Sequence, residues 1–418
     1  MSRRRAIFVC CDGLGRDWVN ERDTPGLATR ARAGLWCADH RAVFPSVTRV
    51  SAASIATGCH PRRHGLHGNR MGLITGGRIV VHDVGRPDFR GLMRAVTGRT
   101  LQVPTLAQRV AGRGGFMAFS NVSPGAAYFL DPDHFGHVYH RAGSFAPGGA
   151  PIDGEGALAV THDRAGDWAM TQRFCREVIE AHKPAAAVLW LSDPDLTMHR
   201  EPLGSPAHRE ALRGAERCVD LVYRAVERQR AAGEDILQLI GSDHGHESVG
   251  AAIDIEAWLA ERGLGALLHN GAIAVAGQGT SALLYATEEG RIALYGILDV
   301  LAAEPWADGV ITADGLSERG HGAVQGVVAA VNMARDARPN AFGVGGHRWT
   351  VVEGGKTPSI GVGQHGGWGP DETRPFLVLD HPKIGPGIVS RPTSIVDIAP
   401  TILRHLGLST EAIDGTSL

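Results

Sequence analysis

Asp12, Asp195, His199, Asp243, His244 and His365 are carboxylates and imidazoles in settings that suit divalent-cation ligands. Asp12 closes the apolar run Ala6–Cys11. Asp195 and His199, in DLTMH, are four residues apart, so one helical turn brings them onto one face. Asp243 and His244 stand in SDHGH (242–246), directly after the expected strand Ile236–Ile240, where adjacent side chains can turn into a cleft. His365 lies in the glycine-rich QHGG (364–367). Six hard or borderline N/O donors suit one or two divalent ions; zinc is the first expectation, with manganese or iron as substitutes.

A nucleophile candidate lies in FPSVTRVSAASIATG (44–58). Thr48 is expected at the start of a helix, where unpaired backbone N–H groups and the helix dipole favour an anion. A hydroxyl there can be ionised by a metal and attack phosphorus; read alone, it serves equally well as a helix cap. Arg49 follows, with a guanidinium able to hold a carboxylate or a second phosphate through two donors. Asn121, just after the expected strand Phe116–Phe119, is a further candidate for substrate contact.

These residues need elements to position them. Ala6–Cys11 and Ala185–Leu191 are continuous apolar runs, the pattern of strands buried on both faces, and Ile236–Ile240 reads as a further strand. Each ends in an acid: Asp12, Asp193 and Asp195, or Asp243. Helical spacing is expected over Asp23–Ala33, Ala52–Ala56, Asp167–Ala181, Ala207–Ala231 and Ser394–Leu406, and a further strand over Arg374–Asp380. The alternation predicts an α/β fold with a mostly parallel sheet flanked by helices, and ligands of such sheets gather at the carboxyl ends of strands. Between residues 251 and 345 the texture changes. Strands at Ile273–Ala276, Ala282–Ala286 and Val327–Val331 and a helix at Arg291–Ala303 predict an inserted α+β cap, leaving 1–250 and 346–418 as the catalytic core.

Composition narrows the class. Lysine plus arginine number 42 and aspartate plus glutamate 44, a net charge of -2, which argues against a protein that coats nucleic acid or an anionic membrane. No apolar run approaches about 18 residues, so no membrane span is expected. The leading MSRRR is basic, but Ala6–Cys11 is too short for a signal-peptide core, and a cytoplasmic location is the expectation. Six cysteines without metal spacing are expected to be reduced.

Taken in order, Asp12, FPSVTRVSAASIATGCHPRRHGLHGN (44–69), DPDLTMH (193–199), SDHGH, QHGG and RPFLVLD (374–380) resemble the alkaline phosphatase superfamily. The branch they are most similar to is that of the type I phosphodiesterases/nucleotide pyrophosphatases, with phosphonoacetate hydrolases also similar. The resemblance implies an alkaline-phosphatase-like core carrying a cap. It implies one metal held by Asp12, Asp243, His244 and Thr48, and another by Asp195, His199 and His365. It further implies attack by Thr48 to form a phospho-threonine that water hydrolyses, with Asn69 donating to a phosphoryl oxygen.

Two departures bear on substrate. The diesterase branch places an aromatic residue after the nucleophile, whereas this chain has Arg49. Phosphonoacetate hydrolases grip their substrate with lysines in the N-terminal half, whereas the first lysine here after the start is Lys183. The expected partner is therefore a small anionic phosphate or phosphonate, cleaved at a phosphodiester, pyrophosphate or C–P bond. A phosphomonoesterase, a phosphomutase and a metal-binding relative without turnover are the other readings, and a homodimer is compatible with all of them. His134, His137 and His140 are expected to serve a loop or the substrate pocket rather than a third metal.

Overall fold

The computed structural model describes residues 4–323 and 325–418. Its centre is a ten-stranded sheet. Five neighbouring strands run parallel: β4 (Asp235–Gly241), β1 (Arg4–Cys11), β3 (Ala186–Leu191), β2 (Phe116–Ser120) and His137–His140. Strand β7 (Leu377–Asp380) adds antiparallel to β4, and Leu35–Cys37 and Gly387–Val389 continue that edge. The fold is the expected mostly parallel sheet flanked by helices.

The apolar runs become central strands because both faces of the sheet are covered. Phe8 and Cys10 of β1 join one core with Val50, Ala53 and Ile55 of α1 (Thr48–Thr57). Ile7, Val9 and Cys11 join the opposite core with Met170 and Phe174 of α2 (Arg164–Phe174) and with Leu212, Val219 and Val226 of α3 (Pro206–Ala231). The apolar positions of α3 recur at spacings of three and four, the stripe of a helix packed on one side. All six cysteines are free and buried.

Register aligns the strand ends. Cys10 of β1 lies opposite Trp190 of β3 and Gly241 of β4. The segments beginning Asp12, Ser192 and Ser242 therefore leave the sheet side by side, at one edge.

Three elements differ from expectation. The helix expected over Asp167–Ala181 starts at Arg164 and widens into a π-helix at Cys175–His182. The guanidinium of Arg5 donates to the carbonyls of Val178 (3.2 Å) and Ile179 (3.0 Å) at the end of that helix, and Val178 O also accepts the Lys183 N–H (3.0 Å). The helix expected over Arg291–Ala303 is two, Glu288–Tyr295 and Leu298–Ala302, parted at Gly296, a weak helix former. The Arg374–Asp380 segment is a strand only from Leu377, with Pro375 making an isolated bridge to Gly15.

A second sheet joins Arg335–Pro339, β6 (Gly345–Val351), β5 (Glu247–Ile253) and Gly363–Gln364. A third holds Ile273–Gly277, Ser281–Ala286, Val327–Met333 and Ala307–Ile311, all antiparallel. The expected cap limits at 250/251 and 345/346 fall within and at the start of β5 and β6. No helix among the described residues is long and apolar enough to cross a membrane.

His64, in the turn after α1, shows how the fold treats imidazoles. Its Nδ1 accepts from the Leu66 N–H (3.1 Å), so its Nε2 carries the proton and donates to Ser54 Oγ (3.0 Å). The neutral ring is fully buried, and burial pushes its pKa down to about 3. The unfolded chain therefore binds the proton first as pH falls below about 6.5. The stability of the parent relative to His64→Gln should be constant above pH 7. Below pH 6.5 it should fall by about 1.4 kcal/mol per unit towards pH 3. Urea denaturation at pH 7, 6 and 5 measures this; a constant difference would show that the ring is protonated without penalty.

Candidate active site

The aligned strand ends build the site. Asp12, one residue past β1, is fixed at one oxygen by the indole N–H of Trp190 (3.1 Å to Oδ2). Asp243, past β4, accepts the Gly13 N–H at Oδ1 (3.1 Å). The other oxygens, Asp12 Oδ1 and Asp243 Oδ2, are buried and make no hydrogen bond. Nε2 of His244 lies 3.5 Å from Asp12 Oδ1, 3.1 Å from Asp243 Oδ2 and 3.1 Å from Thr48 Oγ1. Thr48 is the first residue of α1; Val47 occupies the capping position, and no side chain caps the helix. The threonine hydroxyl is thus turned into the site rather than back onto its own helix.

A second group lies alongside. Asp195 opens a short helix, Asp195–Met198, and His199 follows it, as the spacing predicts. His199 Nε2 is 3.3 Å and His365 Nε2 3.5 Å from Asp195 Oδ1. Asp195, His199 and His365 are joined by His246, whose Nε2 is 3.0 Å from the same oxygen. His246, the last residue of SDHGH, is not among the ligands expected from the sequence. Its signal was its place two residues after His244, on the same strand exit.

Several loops hold these groups still. His365 Nδ1 donates to the Ser46 carbonyl (2.7 Å), and His244 Nδ1 faces the Gly245 carbonyl (3.1 Å). Glu372 accepts from Ser46 Oγ, Thr280 Oγ1 and the N–H groups of Gly367 and Gly369, tying the nucleophile loop to the His365 loop. Arg348, fully buried, bridges Glu372 and Glu247.

The electrostatics call for cations. Among the described residues no lysine or arginine pairs with Asp12, Asp195 or Asp243. Burial pushes the Asp12 carboxyl well above the usual range, and the neighbouring Asp243 and Asp195 charges push it further. Burial takes Asp243 up to about 7, opposed by the Gly13 N–H and reinforced by Asp195. Burial also acts to raise Asp195, but His199 and His246 outweigh it and hold that carboxyl low. Burial pushes His244 down to about 3 and His365 well below the usual range. Orphaned carboxylate oxygens facing imidazoles fit divalent cations in chemistry and number: Asp12, Asp243, His244 and Thr48 for one, Asp195, His199 and His365 with His246 for the other.

The candidate substrate residues divide. Asn69 Oδ1 accepts the Arg49 N–H (3.2 Å), and its backbone N–H donates to Gln278 Oε1 (2.7 Å). Gln278 also donates to the Arg70 carbonyl (2.6 Å), a tie from the turn at 277–281 to the core that no motif announced. Arg49 does not present an open fork. Its Nη1 donates to Asp83 Oδ1 (2.6 Å) and to the Asn69 carbonyl (2.8 Å), and its Nε faces Ser123 Oγ (3.4 Å). Asn121 is fully buried and donates to Thr161 O and Asp167 Oδ1, both at 2.9 Å. Asp167 in turn accepts the N–H groups of Ser192 and Asp193, so Asn121 braces the β3 exit instead of facing substrate.

The remaining imidazoles lie elsewhere. His134, His137 and His140 do not converge with other ligand groups. Asp235, His381 and His405 cluster at the opposite, N-terminal end of β4. There His381 Nδ1 accepts the Lys383 N–H, so Nε2 holds a proton and donates to Asp235 (2.7 Å). Lys383 and Arg4 add positive charge to the same carboxylate, which makes the cluster an ion-pair group.

A doubly covered, mostly parallel sheet with paired carboxylate–imidazole groups and a helix-initial hydroxyl at its carboxyl edge defines a member of the alkaline phosphatase superfamily. Within it, the chain belongs to the type I phosphodiesterase / nucleotide pyrophosphatase family, whose model matches residues 6–304. Among solved structures it is similar to murine ectonucleotide pyrophosphatase / phosphodiesterase 5, at 15% identity and TM-score 0.69, covering 99% of this chain and 97% of that one. An inactive threonine-to-alanine variant of the murine protein in complex with AMP matches at 15% identity and TM-score 0.68, over 99% and 98% of the two chains. The human protein matches equally, at 15% identity and TM-score 0.68, over 99% and 97%. No curated protein matches.

Elemental analysis of gently purified protein should find more than one equivalent of divalent metal per chain, and His365→Ala should lose about half. Metal-free protein with full activity would contradict the two ligand groups.

Proposed function

We propose that the chain hydrolyses a phosphodiester or pyrophosphate bond in a small anionic substrate through a covalent phospho-threonine at Thr48. The observation that carries this reading is the Thr48 hydroxyl, placed at the N-terminus of a buried helix and 3.1 Å from His244 Nε2. His244, pushed down to about 3, is a poor proton acceptor at neutral pH, so the imidazole alone does not explain a reactive alkoxide. Two divalent cations, zinc or else manganese or iron, would supply Lewis acidity that lowers the hydroxyl pKa and offsets charge on the reacting phosphoryl group.

The chain's own groups do the rest. Thr48 Oγ1 attacks phosphorus as the leaving oxygen departs, and water then cleaves the phospho-threonine. Asn69, its Oδ1 engaged by Arg49, has an amide NH2 available for a phosphoryl oxygen. The N–H groups of the first turn of α1 and the helix dipole favour the same negative charge.

The cavity beside the nucleophile, about 400 Å³, is lined by Asn69, Arg70, Asp83, Glu353, Lys356 and Gln364 among others, none aromatic. The inactive murine variant is a complex with AMP, but a nucleobase would find no aromatic face to stack on in this cavity. The wall suits a polar group with negative charge, met by Arg70 and Lys356, while Arg49 positions Asn69. Cleavage of a phosphonate C–P bond is the second reading, favoured by Lys356, which could hold a carboxylate. The 251–345 unit, tied to Asn69 and Arg70 through Gln278, is read as the cap that completes this wall.

Thr48→Ala should abolish turnover of nitrophenyl diesters while the fold survives, and Thr48→Ser should keep measurable activity. A loss of only a few-fold in Thr48→Ala would show that water attacks directly. Lys356→Ala should raise KM by about 10- to 100-fold for diesters whose unreacting group is anionic, the loss of one charge-assisted contact. Neutral aryl diesters should change little; equal effects on both classes would remove Lys356 from specificity.

A further inference from the structure

We infer that His246 is a fourth protein ligand of the second metal centre, which completes the set Asp195, His199, His246 and His365. This rests on the two-metal reading above and extends it to a residue that the resemblance does not assign. His246 is 6% exposed, and its Nε2 is buried with no hydrogen-bond partner. Its Nδ1 faces the Gly13 carbonyl at 3.3 Å, the position of an N–H donor. This orientation turns Nε2 to Asp195 Oδ1, only 3.0 Å away, and neither atom has a hydrogen-bond partner of good geometry. Lone pairs at that separation need a cation between them, a proton or a metal ion, and the convergence of two further imidazoles on the same oxygen favours the metal ion.

The spacing fits a metal ion. Nε2 of His246, His199 and His365 lies 3.0, 3.3 and 3.5 Å from the same oxygen. Ligands about 2.0–2.1 Å from a tetrahedral ion stand about 3.3–3.4 Å apart, which those three distances bracket. The tautomer is fixed by the same device in His244 and His365, whose Nδ1 atoms face backbone carbonyls. The backbone leaves room for His246: a Cβ at Gly13 would come within 2.5 Å of its Cε1. On the other side the adjoining Glu247 is anchored by Arg348 and Arg335. A centre with four protein ligands has the make-up of a closed, firmly held site. The second centre is therefore expected to keep its ion longer than the first under chelation.

The test uses the full chain, stripped of metal and titrated with Co²⁺ against a competing chelator, with visible absorption as the readout. The parent should take up two equivalents. His246→Ala should keep one and bind the other at least about 100-fold more weakly, with a changed d–d spectrum, and added imidazole should restore both. His246→Gln, which can donate to Asp195 without supplying a ring nitrogen, should fail to restore them. If His246→Gln matches the parent in affinity and spectrum, His246 only supports Asp195 and the assignment is overturned. Two equally tight ions and an unchanged spectrum in His246→Ala would overturn it too. A parent that binds no Co²⁺ would instead refute the two-metal reading itself.

Discussion

Three carboxylates, Asp12, Asp195 and Asp243, meet at the edge of three adjacent parallel strands, and among the described residues no lysine or arginine pairs with them. Unpaired buried charge is among the most expensive things a fold can hold. The surrounding structure arranges that charge without neutralising it. Trp190 and the Gly13 N–H each hold one oxygen of a carboxylate and leave the other bare. Imidazoles with Nδ1 against backbone carbonyls turn their Nε2 atoms to these oxygens, His244 to Asp12 and Asp243, His246 and His365 to Asp195. The register of β1, β3 and β4 matters because a one-residue slip would turn these groups to the wrong face.

A second tier of buried charge holds the loops in place. Arg348 on β6 lies between Glu247, at the start of β5, and Glu372, which gathers the Ser46, Gly367 and Thr280 loops. Thr48 is two residues from Ser46 and His365 two from Gly367, so one carboxylate fixes both the nucleophile and a metal-ligand candidate. The Gly345–Val351 strand thereby connects the second sheet directly to the chemistry at the strand ends.

The core was legible wherever local pattern and global role agreed. AIFVCC and AAAVLWL are apolar throughout, and ILQLI all but Gln238, because both faces of their strands are covered, and an acid follows each because the sheet ends there. Asp195 and His199 meet through a helical turn that their spacing foretells. Arg49 was misleading because a motif position says nothing of Asp83, whose partnership comes from the distant strand Arg78–Asp83. Asn121 was misleading in the same way: a strand-end asparagine reads as a cleft residue until Asp167 is seen to claim its amide. His246 was passed over because its role depends on Gly13, 233 residues away, having no side chain. The end of the Cys175–His182 π-helix is met by Arg5 of the first strand, a contact that no local periodicity encodes.

The central claim is that the buried negative charge is balanced by two cations at two distinct ligand groups. Anomalous diffraction from crystals grown with zinc, at energies on either side of its absorption edge, tests this most directly. The account predicts two edge-dependent peaks per chain. One should be bounded by Asp12, Asp243, His244 and Thr48, and the other by Asp195, His199, His246 and His365. No peak, or a single peak shared by all three carboxylates, would contradict it.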